Sequence, residues 1–272
     1  MRRSATLALV AVLLATLAPF VARADQRLRE PLWAPVTRAT VYPGVQTFTR
    51  GAQCTANFVF YDHRSVYIGQ AAHCAGTDGN TATNGCEAGV LPRGTRVDIT
   101  GARAKGVMVY NSWETMQRVG ERNENACAYN DFALIRIART DRPRVNPSIP
   151  AWGGPVALAR GSRSGEPVYS YGRSSLWLGV GTLSPRQGVS LGARGDGWTH
   201  KVYTTPPGIP GDSGSAFLDA TGRALGVLST IEFAPYAASN NVTDLRAALR
   251  YMRAHTGLDH VRLARGTETF TA

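Results

Sequence analysis

The chain has 272 residues, 43% of them hydrophobic, and a formal net charge of +11. That length suffices for one large or two small domains with a proper core. The positive charge is scattered arginine, with only Lys105 and Lys201 as lysines. No run of five or six like charges marks a nucleic-acid partner, so the balance describes a solvated basic surface.

Residues 1–24 have the layout of a secretory signal peptide. A basic start, Met1-Arg2-Arg3, leads into the apolar stretch Leu7 to Val21, and Ala22-Arg23-Ala24 supplies a small-x-small cleavage pattern after Ala24. The apolar run is shorter than the ~20 residues of a membrane span. No later segment is long and apolar enough to span. Export, an extracellular location and no membrane attachment after cleavage are therefore expected. Residues 25–45 carry Pro31, Pro35 and Pro43 without alternation, and are expected to be an irregular lead-in or a short pro-segment.

From Cys54 the pattern becomes strand-like. Ala56–Tyr61 and Ser65–Gly69 predict a hairpin turning at Asp62-His63-Arg64, followed by a Gly/Asn/Thr-rich loop over 75–88. Short strands are predicted at 96–100, 106–110 and 132–137. A Pro143/Pro147/Pro150 cluster then has the composition of a linker. Further strands are predicted at 167–171, 177–183, 199–204, 215–218 and 224–230. Many short strands at regular spacing predict an all-β sandwich or barrel. One helix is predicted near 243–256, capped by Asn241 or Thr243 and ended by Gly257, with Leu245, Ala248, Leu249 and Met252 as its apolar stripe. Residues 257–272 form a polar tail without an assigned element.

Four cysteines, Cys54, Cys74, Cys86 and Cys127, remain in a chain expected to be exported. An even number there predicts two disulfides, with three pairings open. No Cys-x-x-Cys pair is present, so a zinc site is not expected. No cofactor is indicated.

Pro210-Gly211-Asp212-Ser213-Gly214-Ser215 places a serine on a turn between glycines. Successive N–H groups in such a turn can converge on an anion, as acyl transfer requires. A serine nucleophile also needs a base and an acid that orients the base. Of the five histidines, His63 sits in a polar turn, His200 opens a strand, and His255 and His260 lie at the end of the late helix and beyond it. His73 follows an apolar strand and precedes Cys74. Asp131 stands at the mouth of Phe132–Ile137, whereas alternation puts Asp98 on a solvent face.

Ala71-Ala72-His73-Cys74, Asp131-Phe132-Ala133-Leu134 and Gly211-Asp212-Ser213-Gly214-Ser215, in the order His, Asp, Ser, resemble the chymotrypsin/trypsin-like serine protease family, in particular its secreted bacterial branch. The order differs from an α/β-hydrolase, whose serine comes first. The resemblance covers about residues 45–255. It implies two packed six-stranded antiparallel β-barrels, about 46–140 and 155–240, with a C-terminal helix, as one protease domain over 46–256. It implies Ser213 as nucleophile, His73 as general base, Asp131 as its orienting carboxylate, and the N–H groups of Gly211 and Ser213 as the oxyanion hole. It implies a Cys54–Cys74 bridge, which favours Cys86–Cys127 as the second, and a substrate-pairing strand ending at Ser229-Thr230-Ile231, with Ser229 supporting Asp131.

The chain departs from the family at several positions. Ser215 replaces a glycine, and no Ile-Val-Gly-Gly start appears, so Asp212 requires a partner other than a new N-terminus. Pro207 stands where trypsin-like enzymes carry an aspartate, which removes the expectation of cleavage after Arg or Lys. Ile231 narrows the primary pocket. The function implied is a secreted, monomeric serine endopeptidase acting on polypeptides. The alternatives are an inactive binding protein on the same fold, or an esterase using the same residues.

Overall fold

The computed structural model describes residues 30–78 and 83–272. The expected signal segment 1–24 and residues 25–29 lie outside the described residues. In the first half, β1 (Gln46–Thr49), β2 (Ala52–Thr55), β3 (Val59–Tyr61), β4 (Val66–Gln70), β5 (Arg96–Ile99) and β6 (Gly106–Asn111) precede two short helices. These are α1 (Ser112–Val119) and α2 (Glu124–Tyr129), and β7 (Ala133–Arg136) follows them. The second half holds β8 (Ser164–Tyr171), β9 (Pro185–Arg194), β10 (Thr199–Thr205), β11 (Ala216–Asp219), β12 (Ala224–Ile231) and β13 (Asn240–Asp244). Helix α3 (Leu245–His255) and the short β14 (Arg262–Leu263) end the chain.

All strand pairings are antiparallel. The second half closes into a six-stranded barrel in the order β10-β13-β12-β11-β8-β9. The first half differs from the expected six-stranded barrel. It is a curled sheet of eight strands, β14-β3-β4-β7-β6-β5-β1-β2. One of the two additional strands comes from the C-terminal tail, where Arg262 and Leu263 pair with Tyr61 and Phe60 on the otherwise free edge of β3. Pairing that edge satisfies backbone groups that would otherwise be open to another chain.

Each half has its own interior. Val45, Val59, Ile68, Val97, Ile99, Met108 and Ile135 fill the first. Val168, Val202, Phe217, Leu225, Leu228 and Val242 fill the second. A third cluster joins the halves, with Phe58, Phe60, Tyr110 and Phe132 packing with Leu218, Val227 and the stripe Leu245, Ala248, Leu249 and Met252 of α3. Residues 30–45 are irregular, yet Val41 and Val45 are fully buried and Val41 bridges Val145 in parallel. The tail is equally built in. Val261 and Ala264 are buried, and Phe270 packs edge-on against Tyr169 of β8.

Several local expectations change. Residues 177–183 form 3-10 turns at Ser175–Trp177 and Gly181–Leu183, because Leu178 and Gly179 adopt positive φ and interrupt any strand. The ten-residue β9 opens with proline and contains Gly188 and Gly192, so its sequence resembles a turn-rich stretch. Gly188 is required there, since a β-carbon would meet the Tyr203 carbonyl of paired β10. Asp244, not Asn241 or Thr243, caps α3 by accepting from the Ala247 N–H, because β13 runs through Asp244 and the helix begins only at Leu245. Helices α1 and α2 carry asparagine caps, Asn111 and Asn123, each with a glutamate in the first turn. That signature is visible in sequence but sits on elements too short for a periodic apolar stripe. The disulfides are Cys54–Cys74 and Cys86–Cys127.

Candidate active site

Strand register brings His73 and Asp131 together. Gln70, the last residue of β4, pairs with Ala133, the first of β7. The 3-10 turn Ala72–Ala75 leaving β4 and the residues entering β7 therefore meet at one end of the sheet. Asp131 Oδ1 accepts from the His73 N–H at 2.9 Å, and Oδ2 lies 2.6 Å from His73 Nδ1. From the second half, Ser229 Oγ donates to the same Oδ2 at 2.6 Å. The ladder between β12 and β13 shifts register between Leu228 and Thr230, at Ser229.

Asp131 is 2% exposed. Burial works against its ionised form, but the His73 charge and the hydrogen bonds from His73, Ser229 and the His73 N–H outweigh it and hold its pKa below the ordinary aspartate value. Burial likewise works against a charged His73, and the neighbouring Asp131 carboxylate outweighs that, raising the imidazole pKa. With Nδ1 engaged by a carboxylate, the neutral ring carries its proton there and leaves Nε2 as the basic nitrogen.

Ser213 lies on the turn before β11 and lines the same cavity of about 650 Å³ as His73 and Asp131. The turn is tied to both halves. Thr55 N–H donates to the Ser213 carbonyl at 2.8 Å, and Gly214 N–H donates to the Leu228 carbonyl at 2.7 Å. Gly211 and Gly214 both have φ near +90°. At Gly214 a β-carbon would also meet the Thr55 carbonyl, so this position tolerates only glycine. Ser174 Oγ holds the Pro210 carbonyl at 2.5 Å, and Gln53 and Thr55 side chains hold the Gly211 carbonyl. Among the described residues the N–H groups of Gly211 and Ser213 have no acceptor, so two donors border the cavity with free valence. Ser213 Oγ likewise makes no hydrogen bond to His73. Such contacts are often long without substrate and tighten on binding.

Asp212 is fully buried, and its partner is Arg186 of β9, with Nη2 2.5 Å from Oδ2. Ser174 N–H donates to Oδ1, and Ile209 N–H and Trp177 Nε1 donate to Oδ2. Arg186 is 1% exposed. Space for the pair exists only because residue 172 is glycine, where a β-carbon would meet both Arg186 and Asp212. No local pattern marks which arginine this is, since nothing around Arg186 distinguishes it from its surface counterparts. Ser215, the departure from glycine, is accommodated: its Oγ donates to the Asp212 carbonyl at 2.6 Å and braces the same turn.

The cavity is walled by Ile209, Leu228, Thr230, Ile231 and Asn240, and Trp113 of α1 stands beside His73 with ring centroids 6.3 Å apart. Pro207 does not line it. Gly208 does, because the Asn240 side chain clamps Gly208 N–H at 2.8 Å and its carbonyl at 3.0 Å. Phe233, 81% exposed, stands at the rim. Sequence reasoning missed Asn240 and Trp113, whose neighbours only tertiary structure supplies. Of the other histidines, His200 is buried in the second half against Asp244 at 2.8 Å, and His63 is exposed. Asp98 is exposed and pairs with Lys105.

No family model matches the chain, and no curated relative does. Solved structures do match. Thermobifida fusca Protease A aligns with a TM-score of 0.55 at 16% identity, over 84% of this chain and all of that one. Nocardiopsis protease aligns with a TM-score of 0.50 at 17% identity, over 83% and 99%. A glutamic-acid-specific serine protease aligns with a TM-score of 0.50 at 20% identity, over 77% and 96%. The chain thus has the two-barrel, chymotrypsin-like fold of bacterial serine proteases, with a C-terminal helix.

Proposed function

We infer that the protein is an exported serine endopeptidase that works through an acyl-enzyme. One observation carries this reading: the chain Ser229–Asp131–His73 ends in a free basic nitrogen inside the cavity that Ser213 lines. In the reaction Ser213 Oγ attacks the substrate carbonyl while His73 Nε2 takes its proton. The Gly211 and Ser213 amides donate to the oxyanion. Collapse breaks the peptide C–N bond, and His73 returns the proton to the departing amine. Water then repeats the sequence on the ester and frees Ser213.

The cavity lining supports an uncharged residue ahead of the cut bond. Apart from His73 and Asp131 it holds no charged side chain among the described residues, which leaves an arginine or a glutamate side chain there without a further counter-charge. Ile231 and the Gly208–Asn240 clamp limit its size. The two disulfides support an oxidising, extracytoplasmic location. The burial of Val41 and Val45 supports retention of residues 30–45 in the working enzyme.

The test is labelling with a fluorophosphonate, comparing wild type with Ser213→Ala and His73→Ala. Wild type is expected to label and both variants to lose the reaction, by a factor on the order of 10⁴ or more. An unlabelled wild type would instead favour a binding protein on a protease fold. A peptide-library digest then separates a peptidase from an esterase.

A further inference from the structure

On the first half, away from the candidate active site, lies a cavity of about 420 Å³ lined by Arg64, Arg96, Lys105, Arg136, Arg139 and Arg142, with no acidic side chain in its wall among the described residues. The volume falls within the range of ligand pockets. The residues come from the β3–β4 turn, β5, the approach to β6, the end of β7 and the 3-10 turn Arg139–Arg144. Arg136 closes β7, whose opposite end is entered from Asp131. About 16 Å of strand thus separates the two sites, and they share no lining residue.

The carboxylates nearby are already engaged. Asp98 is bound to Lys105 at 2.9 Å. Asp62 accepts from the N–H groups of Arg64 and Ser65 and from Tyr67 Oη. Asp141 is fully buried and accepts from the N–H groups of Arg103 and Ala104. Among the described residues none of the five arginines has a carboxylate within ion-pair distance. Arg142 Nε is buried without a hydrogen-bond partner. Burial, reinforced by the Arg139 charge and only partly offset by Asp62, holds the Arg142 guanidinium below its ordinary pKa. Arginines gathered in a concavity without a paired carboxylate repel one another, and a ligand carrying several negative charges relieves that repulsion. Guanidinium forks match the paired oxygens of phosphate and related oxoanions.

We propose that this cavity is a binding site for a multivalent oxoanion, such as a chain of two or three phosphate groups, held by Arg64, Arg96, Arg136, Arg139 and Arg142. The site is independent of the catalytic reading and requires no protease activity.

Isothermal titration of the full chain with inorganic tripolyphosphate at low ionic strength tests it. Saturable one-to-one binding is expected, with single inorganic phosphate at least tenfold weaker. Arg96 and Arg139 are exposed, so Arg96→Gln/Arg139→Gln should fold normally. It is expected to weaken tripolyphosphate binding by about tenfold or more. Arg160→Gln/Arg223→Gln, in a separate arginine-containing groove on the second barrel, should change it less than twofold. The proposal is overturned if wild type shows no saturable binding. It is equally overturned if phosphate binds as tightly as tripolyphosphate, or if both double variants weaken binding alike, which would report only the diffuse field of a basic protein.

Discussion

Replacing Arg186 with methionine tests how the Ser213 turn is held. In this chain the charge of Asp212 is met from inside the second barrel, by a side chain with no exposure at its guanidinium. Methionine retains most of the apolar stem and removes the cation. Truncating one partner of a buried pair costs about 3–5 kcal/mol, because the other charge is left uncompensated. Asp212 would keep three donors, from Ser174, Ile209 and Trp177, which puts the loss near the lower end, about 3 kcal/mol. At about 2–4 °C per kcal/mol for a domain of this size, Tm should fall by about 6–12 °C. Arg186→Met/Asp212→Asn removes the orphaned charge and should be more stable than Arg186→Met alone. Urea unfolding of wild type, both single variants and the double variant supplies the coupling energy. Fluorophosphonate labelling of the same proteins reports turn geometry, and slower labelling is expected wherever Asp212 loses its anchor. If Arg186→Met lies within about 1 kcal/mol of wild type, or the cycle shows no coupling, the pair does not organise this turn.

The labelling rate should rise with pH as His73 loses its proton. Because Asp131 raises the His73 pKa, Asp131→Asn should shift that rise to lower pH and slow labelling by a factor on the order of 10⁴, both measurable in a pH–rate profile. Linkage gives opposite signs for the two partners. His73 contributes stability that is full below its unfolded pKa and lost as pH rises through the folded value, while the lowered Asp131 pKa contributes stability that is lost as pH falls through the folded value. Both appear as slopes in urea midpoints measured across pH. Cys86→Ser/Cys127→Ser opens a bridge with a separation of 41 residues and should cost about 4 kcal/mol by loop entropy, read by the same denaturation. Asn240→Ala leaves the Gly208 N–H and carbonyl without partners. It should cost about 2–3 kcal/mol and broaden the residues accepted ahead of the cut bond in a peptide-library digest.

The chemistry at this site was legible where it depends on short-range sequence and illegible where it depends on what crosses the cleft. His73 sits in the turn that leaves β4 and Asp131 in the residues that enter β7, so the register of one strand pair is enough to join them. The glycines flanking Ser213 announce a turn because no other residue adopts its backbone there. Arg186, Asn240 and Trp113 carry no such mark. Arg186 is one of many arginines in a basic chain, and its burial follows from β9, a strand disguised by its proline and glycines. Asn240 opens a strand whose first two residues are asparagines, a composition that ordinarily marks a turn. The tail shows the same limit. Its residues are mostly polar, but Val261, Ala264 and Phe270 fill gaps that only the assembled halves create, with β14 on the sheet and Phe270 against β8. A chain reads its own turns locally, whereas the cleft is made by surfaces meeting from both halves. Asn240 accordingly joins the wall of the cavity only once β12 and β13 face the Ser213 turn.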